Sequence, residues 1–254
     1  MLVSVSPYLY WGFRRWRRGP EELELELLPV LCGTDRVAVD IGANFGMYTA
    51  RLSALSRRCI AFEPIPAFAR MLRRGFGSRV EVHDCALSDS KGTARLRVPD
   101  LFTGYATIDP ANRLATRAQD VIDEVEVETG LLDQFEFADV GFIKIDVEGH
   151  EEAVLRGAVL TLARCRPNLL VEVEERHNPG SVRRIVTWMA ERDYAAVTVV
   201  DGVLEDLANF DLTAHQLSVG ADKYSRNIVF LPTERRLELG AAIEGVLGQA
   251  PATR

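Results

Sequence analysis

The stretch that most constrains the fold runs from Val37 to Gly46 and reads V-A-V-D-I-G-A-N-F-G. Its first five residues are apolar except for Asp40, as in a buried strand, and a helical pattern follows the glycines. This order predicts an α/β protein whose parallel sheet binds ligands at the carboxyl ends of its strands. Gly42 permits the tight turn, and Gly46 is expected to let the backbone approach a ligand, because neither carries a Cβ.

The spacing of these glycines indicates the kind of ligand. Dinucleotide-binding loops read G-x-G-x-x-G, and their middle glycine makes room for a pyrophosphate. Residue 44 is asparagine here, so the middle glycine is missing, and Asp40 and Asn44 flank the turn. An acidic side chain at the end of a strand suits a cationic amine better than a phosphate.

A second acid ends the next predicted strand, C-I-A-F-E, which stops at Pro64. Glu63 lies 23 residues beyond Asp40, where doubly wound units place the acid that binds ribose hydroxyls. A carboxylate can accept hydrogen bonds from both hydroxyls of that diol. The alternative is a solvated glutamate at a strand end.

These residues and two later segments resemble the FkbM family of class I S-adenosylmethionine-dependent methyltransferases. The matching segments are D-I-G-A-N-x-G, F-E-P, A-L-S-D-x-x-G and I-K-I-D-V-E-G-H-E, which together span roughly residues 37–175. The resemblance implies a Rossmann-like, doubly wound and mostly parallel seven-stranded sheet with a final antiparallel strand. It also implies S-adenosylmethionine as cofactor, with the Asp84 carboxylate and the Cys85 backbone amide at the adenine ring.

The fourth matching segment follows the predicted strand 141–147 and carries the candidate chemistry. Side chains alternate along a strand, so Lys144 and Asp146 share one face, and His150 opens the next helix. Histidine has the pKa that suits a general base, and we predict that role for His150. Asp146, with Glu172 and Glu174 on the neighbouring strand 168–174, is predicted to converge with His150 on one cleft, either to orient the histidine or to hold a divalent ion. The alternative is that the acids only favour a helix N-terminus.

The same carboxylates allow a metal hypothesis. Asp146 and Glu172 offer the hard oxygen ligands that magnesium or calcium prefer. Some sugar O-methyltransferases of related fold use a metal with an aspartate four residues before a histidine, the spacing of Asp146 and His150. Without a metal, carboxylates near a cationic sulfonium have an electrostatic role.

The function predicted from these motifs is O-methylation of a hydroxyl on a sugar, a glycan or a secondary metabolite. Two alternatives come from other classes: a nucleotide-dependent oxidoreductase on a Rossmann-like sheet, and a non-catalytic module that binds the cofactor. The missing middle glycine counts against the first, and the acids at the strand ends count against the second.

The regions outside the motifs divide the chain into a helical extension (1–36), a methyltransferase domain (37–233) and a C-terminal helix and tail (234–254). Within the extension, residues 7–18 mix aromatic side chains with arginines. One interpretation is a short helix packed on the domain edge, and the other is contact with a membrane surface or an anionic lipid-linked substrate. Residues 100–119 lack periodicity and predict a substrate loop or lid, with Phe102, Thr103 and Tyr105 as contact residues.

Composition limits the remaining classes. A net charge of −7 argues against nucleic-acid binding, which normally needs a basic surface. The sequence has no apolar run long enough to span a membrane and no basic-then-apolar leader at its N-terminus. The four cysteines are scattered, which favours buried free thiols and a cytoplasmic location.

Overall fold

The computed structural model describes residues 23–99, 106–110, 112, 122–217 and 225–248. The basic-aromatic segment 7–18, the loop residues Phe102, Thr103 and Tyr105, and the end of the C-terminal tail lie outside this part. The eleven strands of the described part are β1 Val37–Ile41, β2 Arg58–Phe62, β3 Val80–His83, β4 Ala86–Leu87, β5 Gly92–Pro99, β6 Ile122–Gly130, β7 Val140–Ile145, β8 Asn168–Glu172, β9 Tyr194–Val200, β10 Val203–Asp206 and β11 Asn227–Pro232.

The helices of the same part alternate with the main strands. They are α1 Leu28–Leu31, α2 Met47–Leu55, α3 Pro66–Phe76, α4 Glu151–Arg156, α5 Val159–Cys165, α6 Ser181–Ala190 and α7 Arg236–Leu247. Short 3-10 turns at Leu23–Glu26, Gly77–Arg79, Leu132–Phe135, Leu207–Asn209 and Thr233–Arg235, and a π-helical turn at Thr213–Leu217, complete the connections. None of the helices in the described ranges has the length and apolar character needed to cross a bilayer.

The main sheet has eight strands in the order β10-β9-β11-β8-β7-β1-β2-β3. Strands β3, β2, β1, β7 and β8 are parallel, whereas β11 runs antiparallel to both β8 and β9. The chain moves outward from β1 to β3 and then returns to β7, so the strand order reverses between β1 and β7. This confirms the predicted doubly wound sheet with an antiparallel closing strand, and β1–β7 is its switch point.

The eighth strand was not predicted. It is β10, which pairs antiparallel with β9 through residue 206. The hairpin loop consists of Asp201 and Gly202, with φ values of 51° and 77°. Two consecutive positive φ values are the conformation that the tightest two-residue hairpins require, which explains why the chain turns back at once.

Apolar clusters cover both faces of the main sheet. Val37, Val39 and Ile41 of β1 pack with α4, α5 and α6, whereas Ala38 packs with α1, α2, α3 and α7. The described part of the helical extension consists of a 3-10 turn and the short α1, and its leucines join the second cluster. All four cysteines are free thiols.

A second sheet of three strands, in the order β4-β6-β5, stands beside the end of β3. Strands β5 and β6 pair antiparallel along their whole length, from Gly92 opposite Thr129 to Pro99 opposite Ile122. A small apolar cluster that includes Ala86, Leu96 and Val127 forms its inner face. This sheet supplies a wall of the cleft described below.

The two glycines of the opening turn have different roles. Both lie in the left-handed region, with φ values of 78° for Gly42 and 82° for Gly46. A Cβ on Gly42 would lie 1.8 Å from the Asp146 carbonyl oxygen, so this glycine lets β1 and the end of β7 approach. A Cβ on Gly46 would lie 2.7 Å from Leu72 and 2.9 Å from Phe76. The α-carbon of Gly46 therefore faces the α3 core and not a ligand. The expected role of its missing Cβ, to let the backbone approach a ligand, is wrong.

We expect Gly42→Ala to destabilise the fold more than Gly202→Ala, by at least about 2 kcal/mol. The two glycines have nearly equal positive φ values of 78° and 77°, so each alanine carries a left-handed backbone penalty of about 1–2 kcal/mol. Only Gly42 adds a collision with backbone, because nothing lies within 4 Å of a Cβ at Gly202. Urea unfolding of both variants measures the difference, and equal losses would contradict the close approach at Gly42.

Candidate active site

A cleft of about 630 Å³, including its open mouth, lies at the β1–β7 switch point. The residues around it come from the ends of β1, β2 and β7, from the second sheet and from residues 106–108. They include Gly42, Asn44, Glu63, Ile65, Cys85, Leu96, Ala106, Ile108, Asp146, Glu148 and His150.

A smaller cleft of about 480 Å³ lies on the other side of the opening turn. It is lined by Asp40, Tyr48 and Lys144 and shares Gly42, Asn44 and Asp146 with the larger cleft. The two spaces therefore meet around the turn between β1 and α2. An elongated ligand could occupy both.

Glu63 is buried at the carboxyl end of β2. Its Oε2 accepts from the Asn44 backbone amide at 2.7 Å, and its Oε1 accepts from the Ile65 amide at 2.8 Å. Burial raises the pKa of this carboxyl to about 7, while the two amides oppose the shift. Each oxygen keeps a second lone pair toward the cleft. The alternative of a solvated glutamate is thus wrong.

Asp40 is buried beside the smaller cleft, where its carboxylate accepts a hydrogen bond from the Thr49 hydroxyl. Burial raises its pKa to about 6, and Lys144, its cross-strand neighbour in β7, opposes the shift. The Lys144 ammonium is itself buried, 3.7 Å from Asp146 Oδ2 and 4.9 Å from the centre of the Tyr48 ring. The predicted shared face of Lys144 and Asp146 is confirmed.

The two residues assigned to the adenine ring, Asp84 and Cys85, lie in different environments. Cys85 lines the larger cleft. Asp84 forms an ion pair with Arg73 at 2.9 Å, its side chain is 58% exposed, and it is not among the residues around the cleft. The Arg73 guanidinium lowers the pKa of Asp84. The geometry thus favours Cys85 over Asp84 as a wall of the cofactor cleft.

His150 lies at the start of α4 and lines the larger cleft. Its Nε2 and the Ser88 Oγ are 2.9 Å apart. Burial lowers the pKa of the ring, so His150 is neutral near pH 7 and can accept a proton. The ring is oriented by Ser88, whereas Asp146 and Glu172 were expected to do so.

The carboxylates expected around His150 converge on Glu148 instead. Asp146, Glu148 and Glu172 each bring one carboxylate oxygen to within 4.8 Å of the others. Asp146 and Glu148 line the larger cleft. Glu172 is not among the lining residues, and its Oε1 lies 3.2 Å from Arg226 Nε. Asp146 and Glu172 therefore lie close together, as predicted, whereas the contact of His150 is with Ser88.

Glu148 has an unusual backbone and a buried side chain. Its φ is 52°, and its carbonyl oxygen accepts from the Thr107 hydroxyl at 2.7 Å and the Asn112 amide at 2.6 Å. Thr107 and Asn112 belong to the predicted substrate loop, so the described part of that loop packs over the end of β7. Burial, followed by the charges of the neighbouring acids, raises the pKa of Glu148 to about 9.

A histidine that the sequence analysis missed lies beside Glu148. His177 is buried with its Nε2 3.3 Å from Glu148 Oε2, and burial lowers its pKa. Together with Glu174, which accepts twice from Arg176, these residues bring ligand atoms within 4.8 Å of one another. The E-x-x-H spacing from Glu174 to His177 was the available signal. Ser88 lies within the matching segment A-L-S-D-x-x-G, but no local pattern predicted its pairing with His150, because the contact joins residues 62 positions apart.

Sequence comparison relates this chain to known methyltransferases. The sequence model of the methyltransferase FkbM domain matches residues 40–196. The chain is 31% identical over 146 residues to Methyltransferase 1 of Beauveria bassiana and 29% identical over 153 residues to 31-O-demethyl-FK506 methyltransferase FkbM of Streptomyces tacrolimicus. Each alignment covers 48% of this chain and 58% of the relative, so the chain spans less than two thirds of their length.

Solved structures were also matched, at low sequence identity. Methyltransferase FkbM of Methylobacillus flagellatus is 18% identical, with a TM-score of 0.49. That alignment covers 78% of this chain and 44% of the other.

We expect the His150 ring to titrate below pH 6.5 in the folded protein, because burial disfavours the charged form. The unfolded chain in urea provides the reference near pH 6.5. By linkage, the contribution of His150 to stability falls as the pH drops through this range, since the folded state binds fewer protons. NMR titration measures the midpoint, with His150→Gln to assign the signal. A folded-state midpoint above the urea value would contradict this environment.

Proposed function

This chain belongs to the methyltransferase FkbM domain family, and on that premise we propose that it transfers a methyl group from S-adenosylmethionine to a hydroxyl of a sugar, a glycan or a secondary metabolite. The observation that carries the proposal is that Glu63 and His150 line one cleft at the switch point. Such a cleft can hold a ribose at one acid and an acceptor at a neutral histidine. The Streptomyces relative supports oxygen as the acceptor atom, because its name describes an O-methylation.

The clefts fit this cofactor. Glu63 keeps acceptor capacity for the two ribose hydroxyls although each oxygen already binds an amide. Asp40 and Asn44, beside the smaller cleft, suit the cationic amino group, and Gly42 leaves the turn open. Cys85 would carry the adenine contact through its backbone. Asp84 could contact the adenine ring only after its ion pair with Arg73 breaks. Gly46 contributes by allowing α2 to pack closely against α3.

When bound, S-adenosylmethionine supplies an electrophilic methyl group on a sulfonium. The task of the protein is to align the acceptor hydroxyl and remove its proton. We assign proton removal to His150 in the tautomer whose Nε2–H donates to Ser88 Oγ, because this tautomer leaves the Nδ1 lone pair to take the proton. A neutral ring near pH 7 is the form that this step requires.

Asp146 and Glu172 supply negative charge behind the reacting atoms. Asp146 lines both clefts and favours a cationic centre there. Magnesium or calcium at Asp146 and Glu172 is an alternative to this purely electrostatic role, because one carboxylate oxygen of each lies within 4.8 Å of the other and of Glu148. Activity that a chelator removes and magnesium restores would favour that version.

The two other functions are less well supported. A nucleotide-dependent oxidoreductase needs room for a pyrophosphate, and Asn44 occupies the position of the middle glycine. A module that only binds the cofactor has no use for a neutral histidine in the same cleft. Incubation of cell extract with the enzyme and methyl-deuterated cofactor tests all three. Mass analysis should reveal one deuterated acceptor, and labelling of none would contradict the proposal.

We expect Glu63→Ala to weaken S-adenosylmethionine binding by about tenfold or more. Loss of one partner of a charge-assisted hydrogen bond costs on the order of 1.5–3 kcal/mol. The variant also strands the Asn44 and Ile65 amides, so urea unfolding must accompany the calorimetric titration. Glu81→Ala, at a half-exposed acid that pairs with Arg58 of the neighbouring strand β2 and with His83, is the matched control and should bind normally. Unchanged affinity in Glu63→Ala would remove this residue from the site.

We expect His150→Ala to reduce turnover about a hundred- to ten-thousandfold, which is the usual contribution of a general base. Cofactor affinity should change little, because the ring is assigned to the acceptor. His215→Ala removes a histidine outside the cleft and should keep full turnover. Turnover is measured with the acceptor identified by deuterium labelling. A nearly intact rate in His150→Ala would show that the residue only begins a helix.

A further inference from the structure

We propose that Glu148, Glu174 and His177 bind a divalent cation of the magnesium and manganese class. This site goes beyond the proposed methyl transfer and does not depend on it. All three residues are buried, and they follow two neighbouring strands, β7 and β8. One ligand atom of each lies within 4.8 Å of the other two.

The distances suit a shared cation. His177 Nε2 and Glu148 Oε2 are 3.3 Å apart. Two ligands that each lie about 2.1 Å from a metal, at a right angle, are about 3 Å from one another. This pair therefore needs little movement to become adjacent ligands. The Glu174 oxygens each accept one bond from Arg176, which holds this carboxylate in place.

The buried Oε2 of Glu148 points to a ligand independently of the cluster. It has no hydrogen-bond partner among the residues that the structure describes, and the side chain is only 9% exposed. An unsatisfied buried carboxylate oxygen is rare, because its desolvation is not compensated. A cation between this oxygen and the His177 nitrogen would satisfy both atoms.

The charges around Glu148 lead to the same conclusion. Each neighbouring acid has a cationic side chain at hand: Lys144 for Asp146, Arg226 for Glu172 and Arg176 for Glu174. Within the described ranges, the ion-pair partner of Glu148 is a histidine, which is charged only when protonated. A divalent ion supplies the positive charge that this fourth carboxylate needs.

The backbone holds the ligands in position. Glu148 adopts its left-handed conformation with its carbonyl fixed by Thr107 and Asn112. Gly149 follows with a φ of 100°, and a Cβ there would lie 3.2 Å from His177 Cβ. The glycine thus lets His177 approach Glu148. Such preorganisation favours a specific ion over a diffuse counterion cloud.

The donor set selects among cations. Two carboxylates suit magnesium and manganese, whereas the imidazole favours the softer of the two. We therefore expect Mn²⁺ to bind more tightly than Mg²⁺.

The test is calorimetric titration of the chelator-treated full chain with MnCl₂, without any methyl donor. We expect one saturable Mn²⁺ per chain, and pulsed electron paramagnetic resonance should detect coupling to one imidazole nitrogen. Glu148→Gln and His177→Ala should each weaken binding at least about tenfold, and the nitrogen signal should vanish in His177→Ala. His215→Ala is the histidine control and should bind normally.

Several results would overturn the site. These are absence of saturable binding, a bound ion without nitrogen coupling, or unchanged affinity in a folded His177→Ala. If Glu172→Gln abolishes binding and His177→Ala does not, the ion belongs to the acids at the cleft. His177→Gln replaces the alanine variant if circular dichroism shows that the latter is unfolded. Binding of S-adenosylmethionine, measured separately, distinguishes failure of this site from failure of the proposed methyl transfer.

Discussion

The architecture of the site depends on the close approach of two backbones at the switch point of the sheet. The amide of Asp146 donates to the Ile41 carbonyl at 3.0 Å, and the Asp146 carbonyl faces Gly42 where any side chain would collide with it. This contact fixes the end of β7 against the end of β1. Residues that follow either strand therefore face the same cleft, which is how residues about a hundred positions apart form one site.

Burial of charge is the second property of this region. Asp40, Glu63 and Glu148 are all buried, and desolvation raises the pKa of each. Isolated buried carboxylates are costly, so amides surround Glu63, and a hydroxyl and the Lys144 ammonium lie near Asp40, whereas Glu148 faces a histidine. The crevice as a whole favours positive charge. A sulfonium cofactor and a divalent ion are two ligands of that kind, and we propose a separate set of residues for each.

The loop after β5 contacts both the larger cleft and the proposed cation site. Ala106 and Ile108 line the larger cleft, and Thr107 between them holds the carbonyl of Glu148. The position of this loop is thereby coupled to the left-handed backbone of Glu148. A substrate that moves the loop would also move a ligand of the proposed ion, so acceptor and cation are expected to influence each other's binding.

The sequence by itself determined the doubly wound sheet, because apolar strands, glycine turns and helical stripes are local patterns. It also determined that Glu63 and His150 face the cleft, since both follow parallel strands. Only the tertiary structure decided the support of His150 by Ser88, the diversion of Asp84 to Arg73 and the pairing of Glu148 with His177. These contacts join side chains from separate elements, and their distances depend on how the layers pack, which no local pattern encodes.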